Sequence, residues 1–184
     1  MHRFSFVAAA FVASLVSLPA QASSEYFTYK DWTVLIEQLD TGEDLRTTCK
    51  MWTGGDGDPT VEIALSDGDA LPPTIYPGVS LMERAYRGQA TVLNDGDQVN
   101  FVFDDGDSVT AGVQAGFDPD GYAFARTQFA EVDKQRALQA MRANGIIDIV
   151  GPEGTFYTAS LNGFTAAYIK LAEQCGFTTQ GVID

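Results

Sequence analysis

Apolar and polar residues alternate along most of this chain, and short clusters of aspartate and glycine interrupt the alternation. Apolar side chains recur with period two at Trp32, Val34 and Ile36, at Val61, Ile63 and Leu65, and at Val99, Phe101 and Phe103. This period is typical of strands with one buried face. Clusters containing Asp-Gly, which favours tight hairpin turns, lie at residues 54–59, 67–69, 94–97, 104–107 and 118–121. The pattern predicts an antiparallel β-sandwich or a barrel-like meander.

Two segments near the C-terminus show helical periodicity instead. The first covers about residues 133–144, with Asp133 as its predicted cap and Asn144-Gly145 as its end. The second covers about residues 163–175, between a predicted cap at Asn162 and a predicted stop at Gly176. Its apolar positions form one helical stripe: Phe164, Ala167, Tyr168, Leu171 and Cys175. We expect a mainly β fold with two short helices near the C-terminus, the last packed on the sheet.

The first twenty-two residues have the features of a cleaved export signal. His2 and Arg3 form a short basic start, residues 4–18 are mostly apolar, and Ala20-Gln21-Ala22 is a small-x-small cleavage site. The apolar run is shorter than the roughly twenty residues needed to cross a bilayer. We expect cleavage after Ala22, a single β-rich domain over residues 23–184 with no transmembrane segment, and a periplasmic or secreted location.

Cleavage limits the chemistry left to the mature chain. His2 is the only histidine, so its loss excludes Ser-His-Asp catalysis, Cys-His catalysis and histidine metal ligands. The loss of Arg3 leaves 10 Lys and Arg against 25 Asp and Glu, a formal charge of −15. A chain this acidic lacks the basic face that nucleic acids require. We predict no cofactor and no nucleic-acid partner.

The chain has two cysteines, Cys49 and Cys175, which lie far apart in sequence. An even number of cysteines in an exported chain indicates pairing, and this spacing matches neither a redox Cys-x-x-Cys motif nor a zinc knuckle. We predict one disulfide, with two free thiols as the alternative. If Cys49 lies on a strand with Thr47 and Met51 on the same side, the bond joins the last helix to the facing sheet.

The aspartate-rich turns invite comparison with calcium sites, in which several carboxylate oxygens converge on one ion. None matches a calcium loop, because Pro59 stands where the glycine-rich repeat needs an aspartate and no EF-hand glutamate is in register. Successive turns of a meander also lie at opposite ends of the sheet. We interpret these clusters as hairpin turns and assign no metal ligand.

A carboxylate pair that cleaves glycosides needs no histidine, so this mechanism stays open. Glu37 and Glu62 each follow an apolar strand position and point to the outer face, where acidic residues are usually solvated. A group of aromatic residues at the start of the mature chain suits either a sugar or peptide platform or, as we favour, a cover for one end of the core. These residues are Tyr26, Phe27, Tyr29 and Trp32. We assign no catalytic or cofactor-binding residue.

The segment from Leu161 to Tyr168, Leu-Asn-Gly-Phe-Thr-Ala-Ala-Tyr, resembles the closing segment of the invasion-associated locus B family of bacterial exported proteins. The order of features is also similar: a leader, an early Trp32, strands, a helix, a strand and then the motif. The family usually carries more cysteines and a central Gly-Cys element, which this chain lacks. The likeness rests on the motif residues Leu161, Gly163, Phe164, Ala166 and Ala167.

The resemblance implies a soluble, β-rich periplasmic or surface-associated protein with no established catalytic residues, linked in some bacteria to interaction with host cells. We therefore expect an exported, non-enzymatic envelope protein whose partner is an unidentified protein or envelope component. Two alternatives stay open. One is a small carboxylate-dependent hydrolase of extracellular or cell-wall polymers, and the other is a calcium-stabilised adhesion module.

Overall fold

The computed structural model describes residues 21–57 and 59–183, which form ten strands and two helices. The strands are β1 (Gln21–Tyr29), β2 (Trp32–Asp40), β3 (Leu45–Gly54), β4 (Thr60–Ser66), β5 (Val79–Arg84), β6 (Gln98–Phe103), β7 (Ser108–Phe117), β8 (Ala123–Gln128), β9 (Ile146–Gly151) and β10 (Gly154–Ser160). The helices are α1 (Glu131–Ala143), between β8 and β9, and α2 (Phe164–Gln174), after β10.

All ten strands belong to one antiparallel sheet in the order β1-β2-β3-β4-β5-β8-β7-β6-β9-β10. The first five strands follow one another as a meander. The connection after β5 then skips two strand positions in the sheet. As a result β5 pairs with β8, and β6, β7 and β8 follow one another in reverse order. The sheet curls on itself, because β10 at one end contacts β3. The prediction of a mainly β, antiparallel fold is confirmed, with one break in the meander.

The inner face of the curled sheet forms the core. The nine apolar positions at which period two was recognised are all buried, and the most exposed of them, Leu65, is 8 % exposed. One contiguous apolar cluster takes in side chains from β2 to β10 and from both helices. The alternation therefore identified the buried face correctly in β2, β4 and β6.

The last helix packs on the sheet, as predicted, with contacts to β1, β2 and β3. Its buried side chains are Phe164, Ala167, Tyr168, Leu171 and Ala172. Helix α1 lies against β5 and α2 and buries Ala137, Leu138, Ala140 and Met141. Both helices fall within two residues of their predicted bounds. Among the described residues, neither helix combines the length and the apolar character that a membrane crossing requires.

The predicted N-caps of both helices are wrong. Helix α1 is preceded by Ala130, which makes no side-chain capping bond, and Asp133 lies inside the first turn, where its charge complements the helix dipole. Gly163, in the left-handed conformation, occupies the cap position of α2. Asn162 lies one residue earlier, and its carbonyl accepts a hydrogen bond from the Asp31 N–H.

The predicted helix ends are closer to the structure. Helix α1 ends at Ala143, and the Asn144 side chain donates to the carbonyl of Ala140 at 3.0 Å. Helix α2 ends at Gln174, with Cys175 as its C-cap. Gly176 follows at φ +68°, and the Phe177 N–H donates to the Ala172 carbonyl. This arrangement is a Schellman motif, which places Gly176 one residue beyond the cap.

Strand β1 was not predicted, because the first strand was expected to begin at Trp32. Its first six residues, Gln21 to Tyr26, are all exposed, since β1 is an edge strand that extends beyond the core. Such a segment shows no alternation of apolar and polar residues. The predicted export signal lies outside the described residues as far as Ala20, whereas its last two residues, Gln21 and Ala22, pair with Asp40 and Leu39 of β2.

Candidate functional site

A groove of about 460 Å³ crosses the outer face of β3, β4 and β5 at one end of the sheet. Lys50 of β3, with Thr60 and Glu62 of β4, supplies polar groups from the strands. Three connections border the groove: the glycine-rich β3–β4 turn, the start of the β5–β6 connection with Tyr86, and the β7–β8 turn with Tyr122. These connections meet because antiparallel pairing places the start of β4, the end of β5 and the start of β8 at the same end of the sheet.

An ion pair lies in this groove. The Lys50 Nζ is 2.6 Å from the Glu62 Oε2, and the Thr60 hydroxyl is 3.4 Å from the same oxygen. Glu62 is only 7 % exposed although it faces outward, so the prediction of a merely solvated carboxylate is wrong for this residue. A central strand position is covered by side chains from both neighbouring strands, whereas Glu37 near the end of β2 stays exposed.

Every arginine and lysine that we identify around the groove already has a partner. The Arg84 Nη1 lies 3.4 Å from the Asp118 Oδ2. The Arg87 guanidinium lies 5.1 Å from the centre of the Tyr122 ring and donates to the carbonyl of Asp120 at 3.0 Å. The Lys50 Nζ, besides its ion pair, is 5.6 Å from the centre of the Trp52 ring. The groove therefore presents one close ion pair, Lys50 with Glu62, beside two arginines that have weaker partners.

A buried glutamate holds the connection that carries Tyr86 and Arg87. Glu83 points inward from β5 and is 9 % exposed, and its two carboxylate oxygens accept hydrogen bonds from the N–H groups of Val92 (2.6 Å) and Leu93 (3.2 Å). These bonds fix the far end of the connection. This role was not predicted from the sequence. The available signal was spacing, because Glu83 follows the apolar positions 79 and 81 in the same two-residue period and so lies on the same strand face.

Cys49 and Cys175 form a disulfide, as predicted, with their Cα atoms 6.2 Å apart. Both residues are buried, and Thr47 and Met51 lie on the same inner face of β3 as Cys49. The bond joins the end of α2 to the third strand. Among the residues that the structure describes, no cysteine is free. A buried bond of this kind is structural, because no thiol can reach it without unfolding.

The segment that carries the family resemblance docks on the turn between β1 and β2. Trp32 Nε1 donates to the Ser160 carbonyl at 3.1 Å, and the Ser160 hydroxyl donates to the Asp31 carboxylate at 2.6 Å. A Cβ on Gly163 would collide with the backbone carbonyl of Tyr29. Leu161, Phe164 and Ala167 of the motif are buried, whereas Ala166 is exposed. Most of the motif therefore has a packing role.

The aspartate-rich turns use their carboxylates to close hairpins. Asp97 accepts a hydrogen bond from the N–H of Asn94 at 2.8 Å, and Asp118 accepts from the N–H groups of Asp120 and Tyr122 at 3.0 and 2.9 Å. Asp58, of the first cluster, lies outside the described residues. Within residues 21–57 and 59–183, no group of three or more acidic, cysteine or histidine side chains is placed to hold a metal ion.

The four aromatic residues between positions 26 and 32 do not form one platform. Trp32 is fully buried, and Phe27 and Tyr29 pack against the core from β1. Phe27 also lies under the Lys170 ammonium, which is 4.4 Å from its ring centre. Tyr26 alone is open to solvent, with 65 % of its surface exposed. The favoured interpretation, a cover over one end of the core, describes three of the four.

The lining of the groove limits the carboxylate chemistry that its described residues could perform. Among the described residues that line it, Glu62 is the single carboxylate, and Lys50 already pairs with it. Glycoside cleavage needs two carboxyl groups about 5 to 9 Å apart. Comparisons with protein-family models, with curated proteins and with solved structures found no match for this chain, so its function has to be inferred from its own residues.

Proposed function

We propose that this chain is an exported protein of the bacterial envelope that binds a partner and catalyses no reaction, in a role resembling that of invasion-associated locus B proteins. The observation that carries the proposal is the buried Cys49–Cys175 disulfide. Structural disulfides persist in oxidising compartments such as the periplasm and are rare in the cytosol. The bond therefore agrees with the export signal in residues 1–22.

Cleavage after Ala22 is compatible with the fold. Strand β1 would lose Gln21 and Ala22, whose partners Asp40 and Leu39 are exposed at the end of β2. The pairing from Ser23 to Tyr29 would remain, and the core side chains Phe27 and Tyr29 lie within it. The mature chain keeps the whole apolar cluster.

A binding role agrees with the groove better than a hydrolytic one does. Its one described carboxylate is neutralised by a lysine, and the exposed faces of Tyr86 and Tyr122 stand at its border. Exposed aromatic groups beside paired polar groups are features of recognition surfaces. A calcium-stabilised module has no support from the described turns, where the carboxylates serve their own backbone.

The test is to express the full chain with a C-terminal tag in a Gram-negative host and to separate the periplasm from the cytoplasm. We expect periplasmic protein whose intact mass corresponds to a chain starting at Ser23 and which resists thiol alkylation until it is reduced. Full-length cytoplasmic protein with two reactive thiols would overturn the proposal. The second part of the test is a turnover assay on cell-wall and extracellular polymers. Catalysis that Glu62→Gln abolishes would favour the alternative, a carboxylate-dependent hydrolase.

A further inference from the structure

We propose that the groove over β3, β4 and β5 binds a neutral oligosaccharide. This inference deepens the proposed binding role and rests on it. A volume of about 460 Å³ falls in the range of small-ligand sites, about 300 to 1,000 Å³. The groove is partly open to solvent, and a site of this kind can take part of a chain of sugar rings.

The two cations that line the groove each lie beside a carboxylate. Lys50 lies 2.6 Å from Glu62, and Arg84 lies 3.4 Å from Asp118. An anionic ligand would have to compete with these carboxylates for the cations, and it would approach a mature chain that carries a formal charge of −15. Sugar hydroxyls both donate and accept hydrogen bonds, so they can bridge such a pair without separating it.

The groove also presents aromatic faces. Tyr86 is 74 % exposed and Tyr122 is 38 % exposed, so part of each ring is open to a ligand in the groove. The Tyr122 ring is held by Arg87, 5.1 Å from its centre, and the connection that carries Tyr86 is fastened by Glu83. Aromatic rings stack on the apolar C–H faces of pyranose rings, and prior ordering lowers the entropic cost of binding.

The geometry favours a saccharide over a peptide. Strands β3, β4 and β5 are each paired on both sides, so the groove offers no free sheet edge for an added strand. Its lining includes the ammonium of Lys50, the carboxylate of Glu62 and the hydroxyl of Thr60. A groove for an amphipathic helix or a proline-rich segment is predominantly apolar and aromatic, whereas this one combines two tyrosines with an ion pair and a hydroxyl.

The test is a titration of the mature, oxidised protein with cellohexaose, maltohexaose and chitohexaose, followed by amide NMR shifts. Concentrations up to about 5 mM suit an open, weakly binding site. We expect at least one of the three sugars to shift the amides of Gly55, Gly57 and Tyr86. Tyr86→Ala and Tyr122→Ala are each expected to weaken that binding about tenfold or more, because each removes a stacking face.

Tyr26→Ala is the matched control, since Tyr26 is an exposed tyrosine on β1 outside the groove, and its replacement should leave the affinity unchanged. The inference is overturned if none of the three sugars shifts the groove amides, or if Tyr86→Ala binds as tightly as the wild type. Binding of only an oligogalacturonate, or of only a proline-rich peptide, would also overturn it. Export and oxidation are measured separately, so the proposed function stands if the sugar titration alone fails.

Discussion

Trp32 and Phe164 meet edge to face, with ring centres 5.3 Å apart and ring planes at 76°. Trp32 opens β2 and Phe164 opens α2, so the contact joins the two ends of the described fold. The Trp32 indole N–H and the Asp31 N–H both donate to carbonyls of the segment that leads into α2, those of Ser160 and Asn162. The motif Leu-x-Gly-Phe-x-Ala-Ala thus marks a junction between the first turn and the last helix.

Gly163→Ala is expected to destabilise this junction severely. Gly163 has φ +95°, and its new Cβ would overlap the carbonyl of Tyr29, which is backbone and cannot move aside freely. We expect a loss of about 3 kcal/mol or more in the free energy of unfolding, measured by urea denaturation. Gly106→Ala is the control, because Gly106 also has a positive φ but nothing within 4 Å of the new Cβ. It should cost about 1 to 2 kcal/mol. Equal losses in both variants would remove the steric explanation.

Replacing both Cys49 and Cys175 by alanine should lower stability by up to about 4 to 5 kcal/mol, the chain-entropy value for so long a loop. Guanidinium denaturation measures the change. Addition of dithiothreitol is the internal control: it should destabilise the oxidised wild type and leave the double variant unaffected. A wild type whose midpoint does not move after complete reduction would contradict a stabilising role for this bond.

Period two identified the buried faces of β2, β4 and β6, because one face of each strand carries the apolar core residues and the other face is mostly polar. It could not reveal β1, whose polar residues lie beyond the core at a sheet edge. Nor could it reveal the reversed order of β6, β7 and β8. The same hairpin turns would join these strands in either order, and no local pattern shows that β5 pairs with β8.

The candidate groove was less predictable than the fold. Glu62 was recognised as an outer-face carboxylate, but its burial depends on Lys50, which lies diagonally across from it on the neighbouring strand. Tyr86 and Tyr122 lie in two connections that come together only because β5 pairs with β8. A site that depends on non-local strand pairing has no local sequence signature. The disulfide was predictable, since a chain with two cysteines allows one pairing.

Arg136 is expected to make the stability of the fold more sensitive to acid. Its side chain donates to the Asp107 carboxylate and holds the pKa of Asp107 below its ordinary value. A lowered pKa in the folded state contributes stability that is present above the unfolded pKa and is lost as the pH falls through the folded pKa. Arg136→Met should therefore raise the Asp107 pKa towards its ordinary value, as measured by NMR titration, and weaken the fall of Tm below about pH 4.

Arg126→Met is a matched control for that experiment. Arg126 donates to the neutral Gln114 side chain at 2.7 and 3.0 Å, so its loss removes a surface guanidinium and no bond to a carboxylate. The pKa of Asp107 should not change in this variant. If both variants altered the acid dependence equally, overall charge would explain the effect and the Asp107 contact would not.

Tyr168→Phe should leave stability unchanged or raise it by up to about 1 kcal/mol. Tyr168 is fully buried, and its hydroxyl has no hydrogen-bond partner among the described residues. Burial raises the pKa of this phenol, so it stays neutral at physiological pH. Tyr168→Ala, which also removes the ring that stacks on Phe164 at 5.7 Å, should cost about 3 to 5 kcal/mol. Thermal unfolding compares the two, and a large loss in the phenylalanine variant would indicate a partner for the hydroxyl.

The ion pair of the groove can be tested by a double-mutant cycle on Lys50 and Glu62. Lys50→Met leaves a carboxylate that is 7 % exposed with only the long contact to the Thr60 hydroxyl. We expect a loss of about 1 to 3 kcal/mol, below the range for a fully buried pair, because the Lys50 side chain is 38 % exposed. Glu62→Gln should cost less, since the lysine it leaves can turn to water.

The double variant Lys50→Met/Glu62→Gln should lose less unfolding free energy than the sum of the two single variants, because it removes both charges and leaves no unpaired charge behind. The expected coupling is about 0.5 to 3 kcal/mol, measured by urea denaturation at neutral pH. It should persist at high salt, since Glu62 is shielded from solvent ions. Additive losses would mean that the pair contributes nothing to the fold.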